Sequence, residues 1–262
     1  MDLYKYIFTP SQTVLTLTEV KEHLQLGTLY VNEDSYLTML IKSITQYFEK
    51  YTGIEILTKR CLTYRNKFCN YFVLEKSEFI KLNSIKYLSN NAEVLLDVSN
   101  YEVYKQPFFS HIIFKNIVNT DDVLQNIKVD FYAGMGIEVS SIERSSDVVE
   151  VITINNHGYD TGDTVIITGA LDASFNGNYL ITKVDDTTFT YDNEGADGST
   201  TGDVFSHKIP NDLKLALLHH IANVYSNRGK CQAGNKQACY VSSAMNTGTS
   251  KAIYDNYWIP RV

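Results

Sequence analysis

Between Ile137 and His207 the chain carries thirteen aspartates and glutamates against two basic residues, Arg144 and Lys183. That stretch holds a charge of −11, while the remainder of the 262-residue sequence balances to +4. Seven of the fourteen glycines fall in the same stretch. A break in charge and glycine content at two points is what a module set into a surface loop of another domain produces. The expected organisation is a discontinuous domain, residues 1–136 with 208–262, interrupted by an acidic β-domain at residues 137–207.

Inside the acidic stretch, "VVEVITI", "TVIITG", "NYLITKV" and "TFTY" read as four short strands, separated by "NNHGYDTGD", "ALDASFNG" and "DD". Asn176-Gly177 has the residue types of a positive-φ turn. The module is expected to be an all-β sandwich or barrel of about 70 residues, a size that can fold alone but only marginally.

Outside it, two periodicities alternate. "LTLTEVKEHLQLG" predicts a short helix capped by Thr18 and ended by Gly27. Beyond Asn32, Leu37, Leu40, Ile41, Ile44, Tyr47, Phe48 and Tyr51 follow helical spacing, with Gly53 as the stop. From Cys61 to Tyr132, runs such as "CLTYRN", "YFVL", "HIIF" and "IKVDFY" predict an antiparallel meander with one wet face, since Ile127, Val129 and Phe131 alternate with Lys128, Asp130 and Tyr132. A third helix starts at Pro210, carries Leu213, Leu217, Ile221, Val224 and Tyr225, and stops at Gly229. The fold class is α+β.

The residues offer no reaction centre. His219 and His220 are adjacent on a helix, point about 100° apart and cannot chelate one ion together. Asp160, Asp163, Asp185 and Asp186 do not follow a calcium-loop pattern. There is no G-x-S-x-G, P-loop or G-x-G-x-x-G, and "AGMG" is not followed by a phosphate-binding helix. Cys61, Cys69, Cys231 and Cys239 form two C-x7-C pairs that match neither zinc knuckles nor a dense disulfide framework, so buried or incidental thiols are expected. No apolar stretch approaches the roughly 18 residues of a membrane span. The expectation is a non-enzymatic, soluble protein without cofactor or metal. Arg228 and Lys230 sit where positive charge favours a helix C-terminus, and they are also candidate residues of a subunit or portal interface. In "IYDNYWIPRV", Tyr254, Tyr257, Trp258 and Arg261 are the candidate anchors to a partner, since aromatic and arginine residues dominate interface energies.

Taken in order, "EKYTG", "YAGMG" and "IPNDLKLAL...ANVYSNRG" resemble the head-tail connector family of tailed bacteriophages, over residues 15–57, 127–136 and 209–229. "HGYDTGDTVIITGALDASFNGNYLITKVDDTTFTY" is similar to a small β-domain of phage structural proteins. It also resembles the catalytic-cysteine half-domain of ubiquitin-activating enzymes, but it contains no cysteine, so that chemistry does not carry over.

The resemblance implies a helical connector core and a homo-oligomeric ring, dodecameric in the family pattern, docked beneath the portal protein. Other tail or ring proteins would be its neighbours and DNA would pass through its lumen without sequence-specific binding. It further implies a virion protein of the head-tail junction, assembled in the host bacterial cytoplasm. The Asn-, Lys- and Ile-rich composition fits an AT-rich genome such as that of a phage of gut Bacteroidota, and the resemblance extends to a crAss-like phage. A receptor or glycan-binding module of the tail is the alternative, with the β-module as its recognition surface.

Overall fold

The computed structural model describes residues 4–27, 29–74, 76, 78–106, 109–116, 120–121, 124–228 and 248–258. The chain divides into two compact units, a helical one from Thr13–Ile54 with Ile209–Trp258, and a β one that includes Glu55–Lys208 and the N-terminal strand. The fold class is mixed α+β, dominated by antiparallel strands.

In the helical unit, α1 (Leu17–His23) begins two residues earlier than the sequence predicts. Thr16, not Thr18, is the N-cap: its hydroxyl accepts from Glu19 N at 3.2 Å while Glu19 Oε2 accepts from Thr16 N at 2.8 Å. This reciprocal capping box satisfies two otherwise orphaned donors. The helix ends before Gly27, and Gln25 takes the left-handed conformation instead. α2 (Asp34–Thr52) buries Leu37, Leu40, Ile41, Ile44 and Phe48, and Gly53 closes it at φ 84°. α3 (Asn211–Ser226) follows Pro210 and buries Leu213, Ala216, Leu217, His220 and Ile221. It ends at Asn227; the expected stop, Gly229, lies outside the described residues. A fourth helix, α4 (Gly248–Asn256), occupies the C-terminal stretch.

The β unit begins with β1 (Tyr4–Phe8), a strand the sequence reading did not assign. It joins β2 (Lys59–Arg65), β8 (Ile127–Ala133), β4 (Phe79–Ser89) and β5 (Ala92–Leu95) in the sheet order β1-β2-β8-β4-β5. β3 (Tyr71–Leu74), β7 (Ser110–Phe114) and β6 (Tyr101–Tyr104) form a separate three-stranded sheet. The strand positions match the predicted runs, but the pairing is not a meander. β8 returns to lie between β2 and β4, because Val129 and Phe131 bury more surface at the centre of a sheet than at its edge.

The second face of β8 is wet only at Lys128, which pairs with Glu93 in solvent. Asp130 and Tyr132 are buried: Arg60 clamps Asp130 through Nε at 2.9 Å and Nη2 at 2.6 Å, and Asn83 Nδ2 donates to it at 2.8 Å. A buried carboxylate persists only when paired and hydrogen-bonded in this way.

Residues 137–207 form a closed barrel. Its strands are β9 (Ile137–Ser145), β10 (Val148–Thr153), β11 (Thr164–Ala170), β12 (Gly177–Lys183), β13 (Thr188–Asp192) and β15 (Gly202–His207), with a two-residue β14 (Gly198–Ser199) beside β9. The order β10-β13-β12-β11-β15-β9 closes through the β9–β10 hairpin, which leaves no free edge among the six. The interior holds Ile142, Val149, Val151, Val165, Ile167, Phe175, Ile181, Phe189 and Val204.

Four of the six strands were predicted; β9 and β15, the two that close the ring, were not. The expected turn at Asn176-Gly177 is also different. Asn176 has φ −85° and spends its amide on Ala170, donating to the carbonyl at 2.8 Å and accepting from the N–H at 3.0 Å. Positive φ falls instead on Ser146 and Asp147, the two residues linking β9 to β10.

Candidate assembly surfaces

Each candidate anchor has a definite place in the helical unit, except Lys230 and Arg261, which lie outside the described residues. Tyr254 on α4 is 1% exposed. Its ring meets Phe48 edge-on with centroids 5.1 Å apart, and its hydroxyl lies 3.1 Å from His220 Nδ1. Tyr257 donates its hydroxyl to Asp212 Oδ1 at 2.9 Å, and Ser250 Oγ donates to Ala216 O at 3.1 Å. These contacts seat α4 against α2 and α3. Trp258 is 50% exposed, the candidate aromatic anchor with the most surface to offer.

Arg228 sits just past α3 in a polar and aromatic knot. Its Nη1 pairs with Glu33 Oε1 at 2.7 Å, its guanidinium lies 4.1 Å from the Tyr225 ring centroid, and Tyr225 donates to Glu33 Oε2 at 2.5 Å. The Tyr225 hydroxyl and Arg228 hold the Glu33 carboxyl below the usual carboxylate range.

Sequence reasoning passed over the turn between α1 and α2. Leu29 is 94% exposed, Tyr30 is also exposed and Val31 is 64% exposed, with Met39 and Leu215 exposed elsewhere on the unit. Isolated exposed apolar side chains are ordinary, but consecutive ones on a turn form the kind of patch that marks contact with another molecule. The signal was present in "LYV" between Gly27 and Asn32.

In the β unit, the exposed Tyr6, Ile7 and Phe8 line β1, an edge strand. The sheet and the barrel are latched by named groups. Lys81 Nζ bridges Glu138 at 2.5 Å and Asp203 at 2.8 Å, Tyr132 donates its hydroxyl to Asp203, and the Tyr132 and Phe205 rings lie 5.2 Å apart. Burial alone would raise Asp203; the bonds from Lys81 and Tyr132 override it and hold that carboxyl low.

The "YAGMG" glycines serve the same joint. Gly134 has φ +148°, and a Cβ there would lie 2.5 Å from Thr58 Cα; at Gly136 a Cβ would lie 2.4 Å from Thr58 Oγ1 and 2.5 Å from His207 Nε2. These glycines allow close approach of chain to chain.

The turn acids of the barrel are engaged locally. Asp163 Oδ2 accepts from Asp160 N at 2.7 Å and from Lys208 Nζ at 2.5 Å, Asp185 caps Thr187 N at 2.7 Å, and Asp186 pairs with Lys183 at 2.9 Å. Among the described residues no group of three or more His, Cys, Asp or Glu side chains is arranged to hold a metal. No helix among them is long and apolar enough to cross a membrane. Cys61 is buried, which pushes its thiol up to about 12; Cys69 is exposed, and Cys231 and Cys239 lie outside the described residues.

No protein-family model matches the chain, and no curated protein matches it significantly. Solved structures do. One is a chain of the virion of a native gene transfer agent particle, 12% identical with a TM-score of 0.56, the likeness covering 99% of this chain and 97% of that one. Another is a chain of the neck of an empty gene transfer agent particle, computed with C6 symmetry: 13% identical, TM-score 0.54, covering 99% of this chain and 96% of that one. At these identities the likeness is one of fold. It runs over nearly the whole length of both chains.

Proposed function

We propose that the protein is a structural component of a phage-like virion, a head-tail connector that forms a ring at the neck beneath the portal. The observation that carries this reading is the end-to-end likeness to chains of a gene transfer agent virion and neck, at nearly equal length. A ring of six copies, or of twelve, is compatible with the sixfold symmetry of that neck. Cyclic assembly reuses one heterologous interface until it closes, so modest contacts repeated around the ring give a rigid conduit.

The helical unit supplies the subunit and portal contacts in this reading, through Trp258, the Leu29–Tyr30–Val31 turn and the Arg228 knot. Fixing α4 through Tyr254 presents Trp258 from a firm base. The acidic barrel, at −11 over residues 137–207, repels the DNA backbone and keeps a passing duplex from sticking. The protein acts by geometry, without a reaction.

Electron microscopy of the purified chain mixed with its cognate portal tests this. Rings with a central channel, stacked coaxially on the portal, are expected. A chain that stays monomeric with portal and instead binds host polysaccharide would replace the connector with a receptor module.

A further inference from the structure

Two imidazoles face each other in the helical unit. His23 ends α1 and His219 lies on α3; their ring centroids are 5.4 Å apart and their planes are tilted by 40°. Both rings are half-buried. Neither has a hydrogen bond or an ion pair among the described residues. Other histidines behave differently. His207 commits both ring nitrogens, to Thr58 and Ile166; His157 Nδ1 accepts from Tyr159 N, and His220 Nδ1 lies against Tyr254.

The charge around the pair is already balanced. Glu19, one turn before His23 on α1, receives Lys214 of α3 at 2.6 Å, and its other oxygen is held by Thr16. Burial and the neighbouring His219 lower the affinity of His23 for a proton. An imidazole that stays neutral keeps a lone pair for a metal.

We propose that His23 and His219 form a two-imidazole site for a borderline divalent cation of the nickel, copper or zinc class, with water completing the coordination. Nitrogen ligands at about 2.0–2.1 Å from one ion in a tetrahedral arrangement hold their rings about 5 Å apart, close to the separation seen. Imidazole selects these ions over magnesium and calcium, which prefer oxygen. The bound ion ties α1 to α3. This proposal is independent of the connector reading.

Calorimetric titration of the full chain with nickel chloride at pH 7.5 tests it. One nickel ion per chain is expected, with affinity weakened at least about tenfold in His23→Gln and in His219→Gln, and again at pH 5.5, where protons compete. Magnesium chloride should give no binding heat. Both variants keep all four cysteines, so a thiolate site would survive in them. Their melting without metal, followed by circular dichroism, establishes that they fold, and either one that folds decides the question. No nickel binding by the parent chain, or parent-like binding by a folded variant, overturns the proposal.

Discussion

Thr58 donates its backbone N–H to His207 Nε2 across 2.8 Å, joining the segment before β2 to the last strand of the barrel. The other ring nitrogen lies 3.1 Å from the Ile166 carbonyl, so the tautomer that fits both contacts carries its proton on Nδ1. The ring is wholly buried. It can serve Thr58 only while Nε2 is unprotonated.

This makes the β unit acid-sensitive in a defined window. Burial pushes His207 down to about 4, against an ordinary value of 6.5. Between those values the unfolded chain holds a proton that the folded chain does not, so the contribution is complete above about pH 6.5 and is lost as pH falls toward 4. The full loss is of order 3 kcal/mol. Urea unfolding followed by circular dichroism from pH 7.5 to 4.5 should show a steeper decline for the parent chain than for His207→Gln, whose side-chain oxygen can still accept from Thr58. Equal slopes would remove His207 from the joint.

Gly136→Ala should strike the same joint from the other side. Its Cβ would fall 2.4 Å from Thr58 Oγ1 and 2.5 Å from His207 Nε2. An overpacked, well-fitted contact of this kind costs about 1–3 kcal/mol. The variant should unfold at lower urea than the parent, while Gly27→Ala, where nothing lies within 4 Å of the new Cβ, should leave the β-unit transition in place.

Tyr254 and Trp258 should separate stability from assembly. Tyr254→Ala removes a ring packed on Phe48 and should cost the helical unit about 3–5 kcal/mol. Trp258→Ala removes a side chain that is 50% exposed, and should leave the thermal midpoint of the isolated chain nearly unchanged while weakening ring formation. Loss of stability in the second variant without loss of assembly would reverse the assignment.

The thiols should differ in reactivity. Cys61 is buried with its thiol pushed up to about 12, whereas Cys69 is exposed. Iodoacetamide at pH 7.5 followed by peptide mapping should label Cys69 on the folded chain and reach Cys61 only after denaturation.

Local structure was largely legible in the sequence, and pairing was not. The spacing from Leu37 to Phe48 and the stop at Gly53 define α2 because apolar periodicity and a left-handed cap are local properties. Four barrel strands announce themselves by β-branched runs. β9, "IEVSSIERS", hides because it is polar on its exposed positions and also buries Arg144, whose guanidinium lies over the Phe175 ring at 4.3 Å to the centroid. β15 hides because "GDVFSH" buries Ser206 and His207, residues that read as surface. Asp130 and Tyr132 looked solvated because the groups that cover them, Arg60, Asn83 and Phe205, are distant in sequence. Of the candidate anchors, Tyr254 was legible as apolar in context, but that its partners are Phe48 and His220 of its own chain was not.

Closure of the chain into a ring at a portal is the proposed function. Light scattering of the purified protein, alone and with its cognate portal, measures this directly through mass. A complex holding six or twelve copies per portal ring, reduced in Trp258→Ala, is the predicted result. A chain whose mass stays that of one copy at every portal concentration would not be a ring-forming connector.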